Sequence, residues 1–347
     1  MNIIVPMAGL GKRMRPHTLT TAKPLLPIAG RPIVERLMED IVRVCDQPVH
    51  RIAFITSPLF GPAVEQQLLH VAEKLGAVGS IHYQEEALGT AHAILCAQEH
   101  LDGPVVVAFA DTLFKADFVL DSTREGIIWV KKIDNPRAFG VVELDEEGII
   151  RAFHEKPEQF VSDLAIIGIY FFKDGAYLRR ELQYLVDHRI MDKGEYQLTS
   201  ALENMKSKGT AFLPGTVSEW LDCGNKDATV HTNSRYLEYL QERGNETLVD
   251  PSAVIENCQI IPPCYIGPDC HLNNVQLGPH VSVGRGSKIE NAVVESSLLG
   301  EHAQIQGVHL RSSMTGAHAK VRGYSQRSAP GPALELSISD HSEVVCR

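Results

Sequence analysis

Hydrophobic and polar positions alternate along this chain in two different rhythms. From Met1 to about residue 245, short apolar runs are separated by stretches with helical spacing. Ile3–Met7 and Ile52–Thr56 read as buried strands, as does Val105–Ala110, which ends at Asp111. Between the first two, apolar residues at Ile33, Val34, Leu37, Met38, Ile41 and Val44 follow the 3.6-residue period of a helix with one buried face. Strand, helix and strand in succession predict an α/β fold with a mostly parallel sheet. Ile127–Val130, Gly140–Leu144 and Ile166–Phe172 add strands and make the sheet mixed.

Near residue 250 the rhythm changes to a six-residue unit of an aliphatic residue, Gly, two variable residues and a small one. It occurs at Ile266-Gly267, Leu277-Gly278, Val283-Gly284 and Leu299-Gly300, with a degenerate copy at Thr315-Gly316. A short unit repeated in tandem predicts a solenoid whose turns bury their apolar corners on one another. The unit resembles the hexapeptide repeat of left-handed parallel β-helices. The expected organisation is therefore a catalytic domain over 1–245, a β-helix over 246–323 and a loop or tail over 324–347. Cys258, Cys264 and Cys270 are spaced six apart, which is the period of the repeat and not the CxxC spacing of a zinc site.

Charge narrows the partners. The 33 Lys and Arg against 43 acidic residues give a net charge of −10, which argues against nucleic acid as the main partner. No apolar run is long enough to span a bilayer, and the first residues lack a basic stretch followed by an apolar one. Seven scattered cysteines suit a reducing compartment, so the expectation is a cytoplasmic protein with no membrane partner.

The first predicted strand runs into Ala8-Gly9-Leu10-Gly11-Lys12-Arg13-Met14-Arg15-Pro16, followed by Lys23-Pro24-Leu25-Leu26-Pro27. Two glycines in a strand-to-helix turn let backbone N–H groups approach an anion, and the basic residues add charge. The Walker A pattern is absent, and Met14 stands where a dinucleotide fingerprint needs Gly or Ala. In order and spacing, Gly9, Gly11, Arg13, Pro16, Thr18, Lys23, Pro24 and Pro27 closely resemble the signature of the sugar nucleotidyltransferases.

That resemblance extends over about the first 240 residues and implies a Rossmann-like catalytic domain. Its implied activity joins a hexose 1-phosphate to the nucleotidyl group of a nucleoside triphosphate, with release of pyrophosphate. Arg13, Lys23 and Lys156 are the implied catalytic residues, and Ala8, Gly9, Gly11, Gln84, Gly89 and Thr90 the nucleotide-binding ones. Gln84 lies in a segment similar to the one with which relatives using UTP or dTTP hold the pyrimidine. An amide both donates and accepts, as that base edge requires. Gly140, Glu155, Lys156, Ile166, Tyr170 and Lys193 match sugar-phosphate positions. Asp111, and Asp222 in Trp220-Leu221-Asp222-Cys223-Gly224, match the two Mg2+ ligands, and hard carboxylate oxygens suit that ion.

Two departures bear on the substrate. Ile166 and Ile167 stand where relatives that bind N-acetylglucosamine 1-phosphate often have Asn. Lys193 stands where the thymidylyltransferases have Arg, so a bidentate phosphate grip is lost. The implied reaction is thymidylyl or uridylyl transfer to glucose 1-phosphate. Mannose-1-phosphate guanylyl transfer and N-acetylglucosamine-1-phosphate uridylyl transfer are the alternatives. A catalytically silent assembly subunit is a third, disfavoured because Arg13, Lys23, Asp111, Lys156 and Asp222 are all present. Acyltransferase activity in the β-helix is disfavoured by its short length. The repeats imply a homo-oligomer, and a chain ending near Gly244 is expected to retain every assigned residue and residual activity, while forming smaller oligomers or being less stable.

Overall fold

The computed structural model describes residues 1–323 and 332–346. The chain divides into two compact units. One comprises Met1–Gly9 and Leu37–Trp220, the other Leu10–Arg36 and Leu221–Arg347. This differs from the expected cut near residue 245, because the signature segment belongs with the C-terminal part.

The first unit is built on a nine-stranded sheet. Its strands are β1 (Asn2–Pro6), β2 (Arg51–Thr56), β3 (Val78–Tyr83), β4 (Val105–Ala108), β5 (Gly126–Lys132), β6 (Gly140–Leu144), β7 (Ile150–Glu155), β8 (Leu164–Phe172) and β9 (Phe212–Thr216). The main path runs β7-β6-β8-β4-β1-β2-β3, with β5 paired to both β8 and β9. Neighbours β4, β1, β2 and β3 are parallel, while β8 runs antiparallel to β4, β5 and β6. The mixed, mostly parallel sheet expected from the sequence is present. Both faces of β1 and β4 are buried, which explains their continuous apolar runs.

Helix α1 (Ile33–Val44) has the predicted bounds, and all six of its predicted apolar positions are buried. The helices wholly within this unit are α2 (Pro62–Lys74), α3 (Thr90–Leu95), α4 (Gly175–Asp187) and α5 (Leu198–Ser207). Leu178 and Leu182 of α4 and Ala201 and Leu202 of α5 join Val105, Val107 and Phe172 of the sheet in one core.

In the second unit, α6 (Lys226–Arg243) starts on Asn225, whose side chain accepts from Ala228 N, and ends on Gly244 in the left-handed conformation. Beyond it the chain forms two stacks of parallel strands. In one, His271–Leu277 pairs with Lys288–Glu295, which pairs with Gln304–Gln306 and His309–Arg311. In the other, Ile266, Val283, Leu299, Thr315 and Ile338 stand in successive register.

The repeat acquires a physical reason from this register. A side chain on Gly284 would fall 2.6 Å from Glu301 N, and one on Gly300 would fall 2.4 Å from the Gly316 carbonyl carbon. Each of these glycines lies against the backbone of the next turn, leaving no room for a β-carbon. Leu277 belongs to a different row, paired with Ile260 and Val294. Cys264 and Cys270 sit within the apolar core of the stack.

The stack extends further than expected. Ser337–Ile338 pairs with Met314–Thr315, and Glu343–Cys346 pairs with Lys320–Gly323, in a stretch read from sequence as a tail. The earlier part of that stretch, 324–331, lies outside the described residues. Among the described residues, no helix is long and apolar enough to cross a membrane.

Candidate functional site

The signature loop folds without the expected α-helix. Three single 3-10 turns, Lys12–Met14, His17–Leu19 and Lys23–Leu25, follow the loop, and the first α-helix starts at Ile33. The prolines at 16, 24 and 27 explain this, since each removes a donor that a helix needs. Gly11 has φ 60°, and its carbonyl accepts from Met14 N at 2.8 Å and from Thr18 Oγ1 at 2.9 Å. A β-carbon there would lie 3.0 Å from both Lys23 Cβ and Thr18 Cγ2. Arg13 is exposed, whereas Lys23 is buried at 8% exposure. Gly9 differs from Gly11: its φ lies outside the left-handed region, and nothing comes within 4 Å of where its β-carbon would stand. Ala8, partly buried, joins β1 to this loop.

In the first unit, Gln84 continues β3, its N–H donating to Thr56 O at 3.0 Å. Its side-chain Nε2 donates to Gly89 O at 3.1 Å and lies 3.3 Å from His92 Nδ1, which fixes the amide. Gly89 has φ 111°, and a β-carbon would fall 2.5 Å from Tyr196 O. Backbone bonds from Tyr196 N to Leu88 O and from Ala91 N to Tyr196 O clamp the segment on both sides of Gly89. Thr90 Oγ1 accepts from Leu198 N at 2.9 Å, so its hydroxyl satisfies the first turn of α5.

The expected sugar-phosphate residues meet at one end of β6, β7 and β8. Gly140 and Glu155 are register partners, and a β-carbon on Gly140 would fall 3.3 Å from both Glu155 Oε2 and Ile166 Cδ1. Thr199 Oγ1 donates to Glu155 Oε2 at 3.3 Å, and Lys156 Nζ lies 3.4 Å from Glu155 Oε1. Lys193 Nζ donates to the carbonyls of Glu155 and Lys156 at 3.4 and 3.3 Å. Lys193 and Gly194, with φ 52° and 84°, form a tight turn between the bridged pair Asp192 and Glu195. Tyr170 is buried against Phe109. Burial, reinforced by the Glu155 carboxylate, raises its phenol pKa, so the hydroxyl stays protonated and able to donate.

Asp111 does not end a strand as expected. β4 stops at Ala108, and Asp111 lies in the turn before the short strand Thr112–Lys115. Phe109 N makes one more bond toward β8, to the carbonyl of Gly168, whose φ is 86°, and β8 shifts register against β5 between Ile166 and Tyr170. Asp222, in the second unit, closes strand Glu219–Asp222. Its Oδ1 accepts from Gly224 N at 3.0 Å, and its carbonyl accepts from Thr232 Oγ1 at 2.7 Å. A β-carbon on Gly224 would stand 2.9 Å from Asp222 Oδ2, so a larger residue there would displace the Asp222 carboxylate.

Sequence reading missed Thr199, which orients Glu155, and Tyr196, which clamps Gly89. Neither carries a signal in its own neighbourhood, because each acts on a residue dozens of positions away.

A family model described as nucleotidyl transferase matches residues 3–239. A glucose-1-phosphate thymidylyltransferase of Streptomyces griseus is 27% identical over 322 residues, 86% of this chain and 87% of that protein. A mannose-1-phosphate guanylyltransferase catalytic subunit beta of Drosophila pseudoobscura pseudoobscura is 29% identical over 279 residues, 78% of this chain and 71% of that one. The structure of a putative glucose-1-phosphate thymidylyltransferase from Bacillus anthracis aligns with a TM-score of 0.57 at 22% identity. It covers 67% of this chain and 94% of that chain, a likeness of fold.

Proposed function

The chain belongs to the nucleotidyl transferase family, and from that premise we propose that it transfers a nucleotidyl group from dTTP or UTP to a hexose 1-phosphate, glucose 1-phosphate foremost. The observation that carries this reading is the convergence of Gly140, Glu155, Lys156, Ile166 and Lys193 in one place. A carboxylate to accept from sugar hydroxyls stands there beside two ammonium groups for a phosphate. Gly9, which the fold itself does not require, adds support, since its open side leaves room for a phosphate to approach the backbone.

In the proposed reaction an oxygen of the sugar phosphate attacks the α-phosphorus in line. A new P–O bond forms, and the bond to the β-phosphate oxygen breaks as pyrophosphate leaves. The attacking oxygen is anionic at neutral pH, so no general base is needed. Lys156 and Lys193 hold the nucleophile and offset its charge. Arg13 and Lys23 take the triphosphate, Arg13 with its planar fork and Lys23 as a point charge. Ala8, Gly9 and Gly11 offer backbone N–H groups to the phosphates, while Gln84, Gly89 and Thr90 face the base and ribose. Tyr170 borders the sugar. The carboxylates of Asp111 and Asp222 are hard oxygen donors of the kind Mg2+ takes, and they are the residues to hold it. When bound, the ion neutralises charge on the phosphates.

The C-terminal stack fits a left-handed parallel β-helix, whose turns bury apolar rows against one another. Its proposed role is packing and assembly of a homo-oligomer. Pyrophosphate release across a matrix of nucleoside triphosphates and hexose 1-phosphates tests the reading. Turnover with dTTP or UTP and glucose 1-phosphate supports it. Preference for GTP with mannose 1-phosphate, or for UTP with N-acetylglucosamine 1-phosphate, replaces it with those activities. Absence of turnover with every pair assigns the chain to silent subunits.

A further inference from the structure

Away from these residues, the first unit gathers His82, Glu99 and His100, one potential ligand atom from each lying within 4.8 Å of the others. Among the described residues no other group of three or more His, Cys, Asp or Glu side chains is so close. His82 is 90% buried on β3, with Nδ1 3.7 Å from Glu99 Oε1, and Glu99 is open to solvent. Ser80 Oγ lies 2.9 Å from His82 Nε2 and 3.0 Å from His100 Nε2, so both imidazoles aim at one oxygen. The rings meet edge to face, with centroids 5.0 Å apart.

The protonation of this group is awkward. A hydroxyl donates only one hydrogen, so Ser80 cannot donate to both imidazoles, and at least one Nε2 must carry its own proton. His100 Nδ1 is buried and makes no hydrogen bond with any described residue. Whichever ring is protonated, one buried imidazole nitrogen is left unsatisfied, a costly condition for a structural hydrogen-bond chain.

We infer that His82, His100 and Glu99 form a binding site for a borderline divalent cation such as Zn2+, separate from the carboxylates assigned to Mg2+. Two imidazoles and one carboxylate are a donor set for Zn2+, not for Mg2+. Bonds of about 2.0–2.2 Å put tetrahedral ligands roughly 3.3–3.5 Å apart, so the set closes by about 1 Å on binding. Exposed Glu99 supplies the movable ligand. The position gives the ion a consequence. His82 lies two residues before Gln84, and Glu99 and His100 follow α3, so a bound ion pins both ends of the segment that carries Gln84, Gly89 and Thr90. This effect on the nucleotide rests on the proposed function; the metal site itself does not.

The test uses the full chain, freed of metals and kept in excess Mg2+. Co2+ titration followed by visible absorption, and Zn2+ titration against a chromophoric chelator, read binding without any turnover. The expected result is one equivalent bound, with the d–d bands of a four-coordinate nitrogen–oxygen site. Glu99→Gln, at an exposed position where folding survives, should weaken binding by about 10–100-fold, and His82→Asn should do at least as much. His318→Ala removes one ring of the stacked His302, His318 and His341 and should leave binding unchanged. Absence of Co2+ and Zn2+ binding overturns the proposal. So does binding that Glu99→Gln leaves intact, or that His318→Ala abolishes. Binding without any change in nucleotide KM would retain the site and remove the pinning effect.

Discussion

His17 Nε2 lies 3.2 Å from Ser337 Oγ, which ties the basic signature segment to the last turn of the C-terminal stack. Other ties run alongside. Asn233 Oδ1, fully buried on α6, accepts from Ala29 N at 2.9 Å and from Ser282 Oγ at 2.7 Å. Arg36 is buried and donates to the carbonyls of Ile28 and Ala29 and to both carboxylate oxygens of Glu246. Tyr265 fills the space beside Gly30, where a β-carbon would meet the ring at 2.1 Å. The segment that carries Arg13 and Lys23 is thus built against the repeats.

A chain ending at Gly244 keeps every assigned residue but removes Glu246, Tyr265, Ser282 and Ser337 together. It takes the Glu246 carboxylate from Arg36, a loss of up to about 3–5 kcal/mol on the usual scale for a broken buried ion pair, and it removes the Tyr265, Ser282 and Ser337 contacts that support the 10–36 segment. The expected outcome is a chain that is largely insoluble or melts far lower and releases no pyrophosphate. Ser337→Ala alone should cost only about 1 kcal/mol. A soluble truncation with full turnover and an unchanged melting temperature would show that the ties are dispensable.

His17 also makes stability depend on pH. Burial lowers its pKa from 6.5 to about 4, with Lys226 acting in the same direction and Asp340 opposing. The folded state thus takes up this proton less readily than the unfolded chain. The stabilisation is full above pH 6.5, falls as the pH drops toward 4, and levels off below that. The whole step is up to about 3 kcal/mol. Denaturant unfolding at intervals from pH 7 to pH 4 should show this slope, reduced in His17→Gln. An identical slope in the variant would assign the dependence to other groups.

Two glycines make a contrasting pair. Gly89→Ala forces a β-carbon to 2.5 Å from Tyr196 O at φ 111°, so it should destabilise the fold by about 1–3 kcal/mol and weaken triphosphate binding. Gly9→Ala meets nothing in the structure. It should leave the melting temperature within a degree or two and still reduce turnover, because the methyl group stands where a phosphate is expected. Normal kinetics in Gly9→Ala would remove the loop from the phosphate assignment.

What was legible in the sequence was local. The helix Ile33–Val44 announces itself because its six apolar residues share one face. The glycine rows of the stack recur every 16 or 17 residues, short enough to read as a repeat. The last turn was not legible because Lys320 pairs with Glu343, a spacing that breaks this period and makes the strands resemble a tail. The union of 10–36 with the repeats was invisible for a related reason. Ala29 and Asn233 are 204 residues apart, and a buried Asn in a helix reads as an unfavourable surface residue. The end of β4 is not legible because Ala110 is as apolar as the strand before it, while the pairing that ends beside Gly168 lies in a strand far along the chain.

The metal assignment makes a separate demand. Asp111→Asn and Asp222→Asn each remove one negative charge and keep the shape, so both should fold. Turnover should fall by orders of magnitude, with higher Mg2+ needed for half-activation. Asp222→Asn can still accept from Gly224 N, which keeps the local turn. Full activity of the native chain in EDTA would remove the ion from the reaction.

The base assignment is the sharpest test, because it rests on one amide. Gln84 Nε2 is held by Gly89 O and lies against His92, which leaves the side chain oriented by its donor end. Gln84→Glu replaces that donor with a carboxylate oxygen facing a carbonyl at about 3 Å, a repulsive pairing. The side chain should turn away from Gly89 O, and its fixed placement is lost along with any donation to a base carbonyl. KM for dTTP and UTP should rise by about tenfold, the scale of one lost hydrogen bond of 1–1.5 kcal/mol. Activity with GTP should fall less or rise, since guanine offers N–H donors to a carboxylate. Measured against one fixed sugar phosphate, the ratio of kcat/KM for dTTP and GTP separates this from general damage, which lowers both together. An unchanged ratio in a folded variant would place the base elsewhere.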